Sequence, residues 1–192
     1  TGAYMVSGYG QMGSKIKAEN IAKLFGKVHK KFEIIYKRIV AQHTSEGVYE
    51  VFKSLYGFGN FLAYQILVDL RYPLKCYGGK PLLPFSNDDW ATPGPGAKRG
   101  LKMLLKDCVK TDSLDVMRWL RDNQEAEFHR LDLSFPYLKN ESGKDIKLSL
   151  SNIQGCLCEF HKYVKILEKT GRGRRKFSPV TCVEFYTEVG GL

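Results

Sequence analysis

The chain has 192 residues, enough for one sizeable core, and no apolar stretch approaching the roughly 20 residues of a membrane-spanning helix, so a single domain with no membrane partner is expected over 1–192. Thirty Lys and Arg against 20 Asp and Glu give a net charge of +10, a surface field that attracts polyanions, as would any basic solvated face. Five cysteines (76, 108, 156, 158 and 182) form no Cys-x-x-Cys pair and His29, His43, His129 and His161 lack ligand spacing, which favours a reducing intracellular setting over a disulfide framework or a metal site.

The chain opens with Gly8-Tyr9-Gly10-Gln11-Met12-Gly13-Ser14-Lys15, a Gly-x-Gly-x-x-Gly run with no strand before it and no βαβ unit after it. A dinucleotide fold is therefore disfavoured, and the run reads as a loop whose amides and Lys15 approach phosphate. Because the chain does not begin with Met, it is expected to be a domain excised from a longer protein. From Ala18 to Val40 one apolar stripe (Ile21, Leu24, Phe25, Val28, Phe32, Ile35, Ile39) predicts a single core helix with a lysine-rich outer face.

Next, Leu55-Tyr56-Gly57-Phe58-Gly59-Asn60 joins two helical patterns by a very short turn. Ser45 reads as the N-cap of a helix carrying Val48, Val51, Phe52 and Leu55, and Asn60 opens a second with Phe61, Leu62, Ile66 and Leu70. Glycines at 57 and 59 permit positive φ and close backbone approach, and the first amides of the second helix point outward, which suits phosphate oxygens. This is the logic of a DNA-docking helix-hairpin-helix; an ordinary helical hairpin is the plainer alternative.

The Pro- and Gly-rich passage from Tyr72 to Gly96 breaks regular structure, and a loop of that length inside a domain is more often functional than idle. Within and just after it, Asp88 and Asp89, Trp90, the Pro93-Gly94-Pro95-Gly96 turn, Lys98 and Arg99 gather carboxylates, an aromatic platform and cations in a dozen residues. Such a set suits a phosphate-bearing or base-like substrate, with cations stabilising oxygens and a carboxylate taking a proton. An Asp N-cap in a proline-shaped loop is the bland alternative.

Helix resumes after Gly96 through Leu101, Leu104 and Leu105, again from Ser113 to about Arg130 with Leu114, Met117 and Leu120, and finally from Ser151 with Ile153, Leu157, Phe160, Val164 and Leu167 inward. On that last helix Glu159, Lys162 and Tyr163 share a face, as a catalytic group or as an ordinary surface salt bridge. Arg172, Arg174, Arg175 and Lys176 form a basic run suited to non-specific phosphate contact, and Val180 to Val189 reads as a short strand or packing arm.

The ordered set YGFGNFLAYQILVDLRY, DDWATPGPGAKRG, LSNIQGCLCEFHKY and GRGRRKFSP, spanning Tyr4 to about Pro179, resembles the amino acid:DNA transferases, also called alpha-glutamyl/putrescinyl thymine pyrophosphorylases. The resemblance implies a mainly α fold akin to the helix-hairpin-helix DNA glycosylases, with a long Pro/Gly-rich loop. It also implies transfer of an amino-acid or polyamine amine onto a pyrophosphorylated 5-hydroxymethylpyrimidine in double-stranded DNA. In that scheme Asp88, Asp89, Lys98, Arg99, Glu159 and Lys162 are the catalytic set. Lys15, Gly57, Gly59, Asn60 and the 172–176 run grip DNA, while Tyr4, Trp90, Gly94, Gly96 and Tyr163 meet the flipped base or substrate. Magnesium can assist pyrophosphate departure, but no cofactor is required. His161 departs from the pattern, which more often carries Asp there. Phe61 stands where bifunctional glycosylases place a nucleophilic Lys, which argues against Schiff-base chemistry, and an iron–sulfur spacing is missing. A non-catalytic modified-base reader and a monofunctional glycosylase are the alternatives. The expected compartment is the nucleus in a eukaryote or the host cytoplasm for a virus.

Overall fold

Thr44 takes an extended conformation (φ −140°, ψ 151°) and its hydroxyl accepts from the Gly47 amide at 3.0 Å, so the helix begins at Ser45 with Thr44, not Ser45, as its cap. This is one of seven α-helices in a computed structural model that describes residues 8–74, 76, 78–105 and 112–171. They are α1 (Lys17–Lys30), α2 (Phe32–Val40), α3 (Ser45–Lys53), α4 (Asn60–Leu70), α5 (Pro95–Leu105), α6 (Ser113–Arg130) and α7 (Leu150–Leu167). A small antiparallel ribbon, β1 (Leu138–Lys139) with β2 (Asp145–Ile146), pairs Leu138 with Ile146 and precedes α7. The fold is mainly α. Tyr4, Cys108, the Arg172–Lys176 run, Cys182 and the Val180–Val189 arm lie outside the described residues.

The single helix expected over 18–40 is two helices, broken at Lys31, whose backbone leaves helical geometry (φ −106°, ψ 11°). The break gives the apolar stripe two destinations. Leu24 closes a small cluster with Tyr9 and Phe58, joined by Ile21 and Val28, whereas Ile35 is buried separately and Ile39 packs against the larger core. Phe25 and Phe32, both expected inward, are about half exposed; Phe25 rests edge-on against Phe58 and Phe32 stacks on Tyr36. The larger core draws Val48, Tyr49, Phe52, Ala63, Tyr64, Leu67, Leu101, Met117, Leu150, Ile153 and Leu157 from α3 to α7. On α7 only the first turns are sealed, because Leu167, expected inward, is exposed.

The α3–α4 connection turns on Gly57, at φ +85°. A Cβ there would lie 2.9 Å from Leu24 Cδ2 and 3.1 Å from the Tyr9 ring. Gly59, the N-cap of α4, sits at φ −69° with open space around it, so Asn60 is the first residue of α4 and not its cap. The two glycines therefore carry different demands. Gly57→Ala is expected to destabilise by about 2 kcal/mol, through a left-handed backbone and crowding against Leu24, while Gly59→Ala shifts stability by a few tenths at most. Urea denaturation of both variants checks this, and equal losses would contradict it.

The glycine-rich opening folds onto this turn. Tyr9, itself at positive φ (45°), donates its hydroxyl to the Gly57 carbonyl at 2.9 Å. Buried Asn20 on α1 binds the Gly8 and Ser14 carbonyls and the Ser14 amide. A polar side chain that saturates three backbone groups at once makes this loop a fixed part of the fold.

Candidate functional site

Two 11-residue helices, α4 and α5, begin beside one another, and their N-termini frame a cleft of about 140 Å³. Its walls are Asn60, Phe61 and Tyr64 from α4, Thr92, Pro93 and Gly94 from the preceding loop, Pro95 and Lys98 from α5, and Gln154 from α7. Helix N-termini carry partial positive charge, Lys98 adds a full one, and no carboxylate among the described residues lines the cleft. Rings of Phe61, Tyr64, Pro93 and Pro95 supply flat apolar surface. Gln154 is 7% exposed, and its amide makes no hydrogen bond to the protein among the described residues. The side chain as a whole is largely covered, but its amide borders the cleft, where it is open to a ligand's polar edge.

The loop wall is held by a buried arginine. Arg71, the C-cap of α4, is 3% exposed and donates to the Ser86 and Trp90 carbonyls (both 3.1 Å), to Ser151 Oγ (2.8 Å) and to Ser45 Oγ (3.4 Å); its Nε has no partner. Burial pushes the guanidinium's pKa down, opposed by nearby Tyr64 and Asp89. Tyr64, a cleft residue, meets the same Ser151 hydroxyl at 3.3 Å, and burial pushes its phenol up, so it stays neutral.

The sequence-predicted residues divide among three places. Asn60, Gly94 and Lys98 come together in the cleft. Asp88, Asp89 and Trp90 shape the loop. Asp88 Oδ1 accepts from the Leu150 amide at 2.8 Å, at the start of α7, and lies 3.7 Å from Arg121; Asp89 accepts from the Ser86 amide at 2.8 Å. Trp90 is wedged between Tyr49 (ring centroids 5.1 Å) and Tyr64 (6.1 Å). Gly96 would place a Cβ 3.0 Å from Cys158 Sγ, so it lets α5 close on α7. On the outer face of α7, Glu159 and Lys162 pair at 2.5 Å with both side chains mostly exposed, and Tyr163 is exposed too. Burial pushes the Cys158 thiol up, which keeps it protonated beside Gly96. Lys15 is exposed on the N-terminal loop.

Four contributors were not singled out from sequence: Tyr64, Arg71, Thr92 and Gln154. Tyr64 had a signal, since it follows Asn60 by four residues and shares its helical face. Gln154 sits within the quoted LSNIQG segment but reads as polar filler until α7 is placed.

Residues 1–173 match the family described as "5-hmdU DNA kinase, helical domain". A 5-hmdU DNA kinase of Bacillus phage SP10 is 30% identical over 122 residues, 64% of this chain and 18% of the relative, so the chain spans less than a fifth of that protein. No solved structure matches. These matches support the coarser part of the resemblance, a family named for 5-hydroxymethyldeoxyuridine in DNA, and do not extend to amino acid:DNA transferases in particular. The chain belongs to the family of the 5-hmdU DNA kinase helical domain.

Proposed function

We propose that this domain binds duplex DNA, takes a 5-hydroxymethylpyrimidine out of the stack and holds it in the α4–α5 cleft for modification at its 5-substituent. The observation that carries this reading is the Gln154 amide bordering a positively polarised cleft whose walls include the rings of Phe61, Tyr64, Pro93 and Pro95. A side-chain amide complements the imide edge of uracil, and rings on either side replace the stacking that the flipped base loses, a cost of a few kcal/mol. Lys98 and the two helix N-termini suit the phosphate of the flipped nucleotide or a phosphorylated 5-substituent. The family name, with its 5-hydroxymethyldeoxyuridine in DNA, supports the same substrate.

Attack of an amino-acid or polyamine amine on a pyrophosphorylated base is the second reading. It is favoured by the gathering of positive charge where pyrophosphate would leave. A proton acceptor for the amine is harder to assign, because Asp89 holds the Ser86 amide and Glu159 pairs with Lys162 outside the cleft. The described residues contain no cluster of three or more His, Cys, Asp or Glu, so magnesium serving either chemistry would be carried chiefly by phosphate oxygens.

The test compares duplexes that differ only in one thymine replaced by 5-hydroxymethyluracil. The wild-type protein is expected to prefer the modified duplex, and Gln154→Ala to lose about tenfold of that preference while affinity for unmodified DNA stays within twofold. Lys98→Ala is expected to weaken both. Equal wild-type affinities for the two duplexes would overturn the reading. Nucleoside mass spectrometry after incubation with ATP, or with amines and a pyrophosphorylated duplex, separates phosphoryl from amine transfer by product mass.

A further inference from the structure

The lysine-rich face of α1 takes no part in the cleft. At about 100° per residue, Lys23, Lys27 and Lys30 fall within about 60° of one another around the helix and span about 10 Å along its axis. All of them are exposed. They follow the Asn20 side of the buried stripe, whereas Phe25, across that stripe, leans on Phe58. The dipole at the helix C-terminus favours cations at Lys27 and Lys30, which lie in the last turn, but gives Lys23 no such support.

This row of charge has no counter-charge. Lys53, Lys139, Lys147 and Lys162 each pair with a carboxylate elsewhere on the surface, but among the described residues none of the α1 row forms an ion pair. Lys23 Nζ reaches the Met12 carbonyl at 3.4 Å. Glu19, the carboxylate on α1, accepts from the Ser14 hydroxyl at 2.6 Å. Lysines at i,i+4 and i,i+3 spacing repel one another, so the row is strained in the free domain and relieved by an anion laid along it.

The row is also fixed in place relative to the cleft. Lys23 touches the N-terminal loop at Met12, Tyr9 of that loop donates to the Gly57 carbonyl, and Gly57 leads within three residues to Asn60 on the cleft wall. Asn20, one turn before Lys23, binds the loop at both Gly8 and Ser14. A straight row of ammonium groups on a pinned helix complements a line of phosphates and carries no means of telling one base from another.

We propose that Lys23, Lys27 and Lys30 form a rail for the phosphate backbone of duplex DNA, a second contact surface that seats the duplex beside the base held in the cleft. The choice of DNA as the polyanion rests on the reading of the cleft given above. The rail supplies affinity and orientation, and the cleft supplies the preference for a base.

The test measures affinity across a salt series, with the whole chain, for a thymine duplex and for the same duplex carrying 5-hydroxymethyluracil. It compares the wild type, Lys23→Ala/Lys27→Ala/Lys30→Ala, and Lys37→Ala/Lys80→Ala/Lys144→Ala, which removes the same charge from scattered positions. The rail variant is expected to lose at least roughly tenfold on both duplexes at low salt, with a salt slope flatter by nearly three phosphate contacts, while the scattered variant loses less than about twofold. Lys23→Arg/Lys27→Arg/Lys30→Arg is expected to retain most of the affinity. Unchanged affinity in the rail variant overturns the proposal, and so do equal losses in the rail and scattered variants, which would reduce the rail to net charge. Vesicles of anionic phospholipid are run in parallel: vesicle binding lost in the rail variant while duplex affinity holds overturns the proposal in favour of a membrane surface. The replaced lysines are all exposed, so folding is retained, and unchanged urea midpoints verify it. A rail variant weakened on both duplexes, beside a wild type with no base preference, upholds the rail and fails the cleft; a rail variant of full affinity that keeps the base preference does the reverse.

Discussion

Gly100→Ala is expected to destabilise the domain by about 3 kcal/mol, the high end for overpacking in a core. The reason is what the new methyl would meet. Its nearest neighbours are the Leu157 carbonyl oxygen at 2.3 Å, the carbonyl carbon at 3.1 Å and Cα at 3.4 Å, all backbone within α7. A side chain can rotate away from such a clash, but a helical carbonyl cannot without giving up its own hydrogen bond. Relief therefore requires α5 to lift from α7 at their crossing, where Ala97, Leu101, Ile153 and Leu157 are buried. Gly155→Ala makes a sharp contrast. Gly155 lies inside α7 with open space around it, so alanine there gains helix propensity and is expected to stabilise by about 0.5–1 kcal/mol. Urea unfolding of the two variants should move the midpoint in opposite directions. Movement in the same direction would show that α5 does not seat on α7 through Gly100.

The second large effect is expected at Arg71. Arg71→Met preserves much of the side chain's length and removes the guanidinium, stripping donors from the Ser86 and Trp90 carbonyls and from the Ser45 and Ser151 hydroxyls. Each buried acceptor left unfilled costs about 1–3 kcal/mol, and the variant is offset by the relief of desolvating a cation that forms no direct ion pair among the described residues. The bonds are expected to win, with a net loss of about 3 kcal/mol. The 86–94 loop should then loosen, read as faster proteolysis within it, and preference for a 5-hydroxymethyluracil duplex should fall because Thr92, Pro93 and Gly94 wall the cleft. Arg71→Lys should recover only part, since a point charge cannot serve four acceptors spread around a planar fork. An unchanged unfolding midpoint for Arg71→Met would mean that the desolvation of the guanidinium cancels everything it binds.

Local pattern made the helices legible. The α6 span of Ser113–Arg130 follows from its apolar spacing, and α7 begins within a residue of expectation because Ser149 and Asn152 form a reciprocal cap. Non-local placement was less legible. Nothing in the composition of Lys17–Val40 marks Lys31 as a break, because Lys is a good helix former; the break reflects two separate docking sites for one stripe. The small β1–β2 ribbon carries too little periodicity to be read. At the site, sequence distinguishes types of residue but not their assignments. Asp88 and Asp89 have the chemistry of proton acceptors, yet a helix amide 62 residues away and a turn amide claim them. Gly96 reads as a turn residue and Gly100 as one more position of the helix that follows, although both are contact points between helices. Asn60, Gly94 and Lys98, read from the sequence as DNA-binding, substrate-binding and catalytic residues respectively, border one cleft because all three lie at or near helix starts.

Tyr9 and Gly57 lie 48 positions apart, joined by one hydrogen bond, and the Tyr9 ring stands where a side chain at position 57 would reach. Their energetics are therefore those of a single site: each owes part of its worth to the other, and the cost of changing both falls short of the two costs added. The α3–α4 hairpin is in this sense not an independent module. A fragment cut to begin at α1 would keep both hairpin helices and lose the strut that fixes the angle between them, so the shortest portable form of the hairpin starts no later than Gly8.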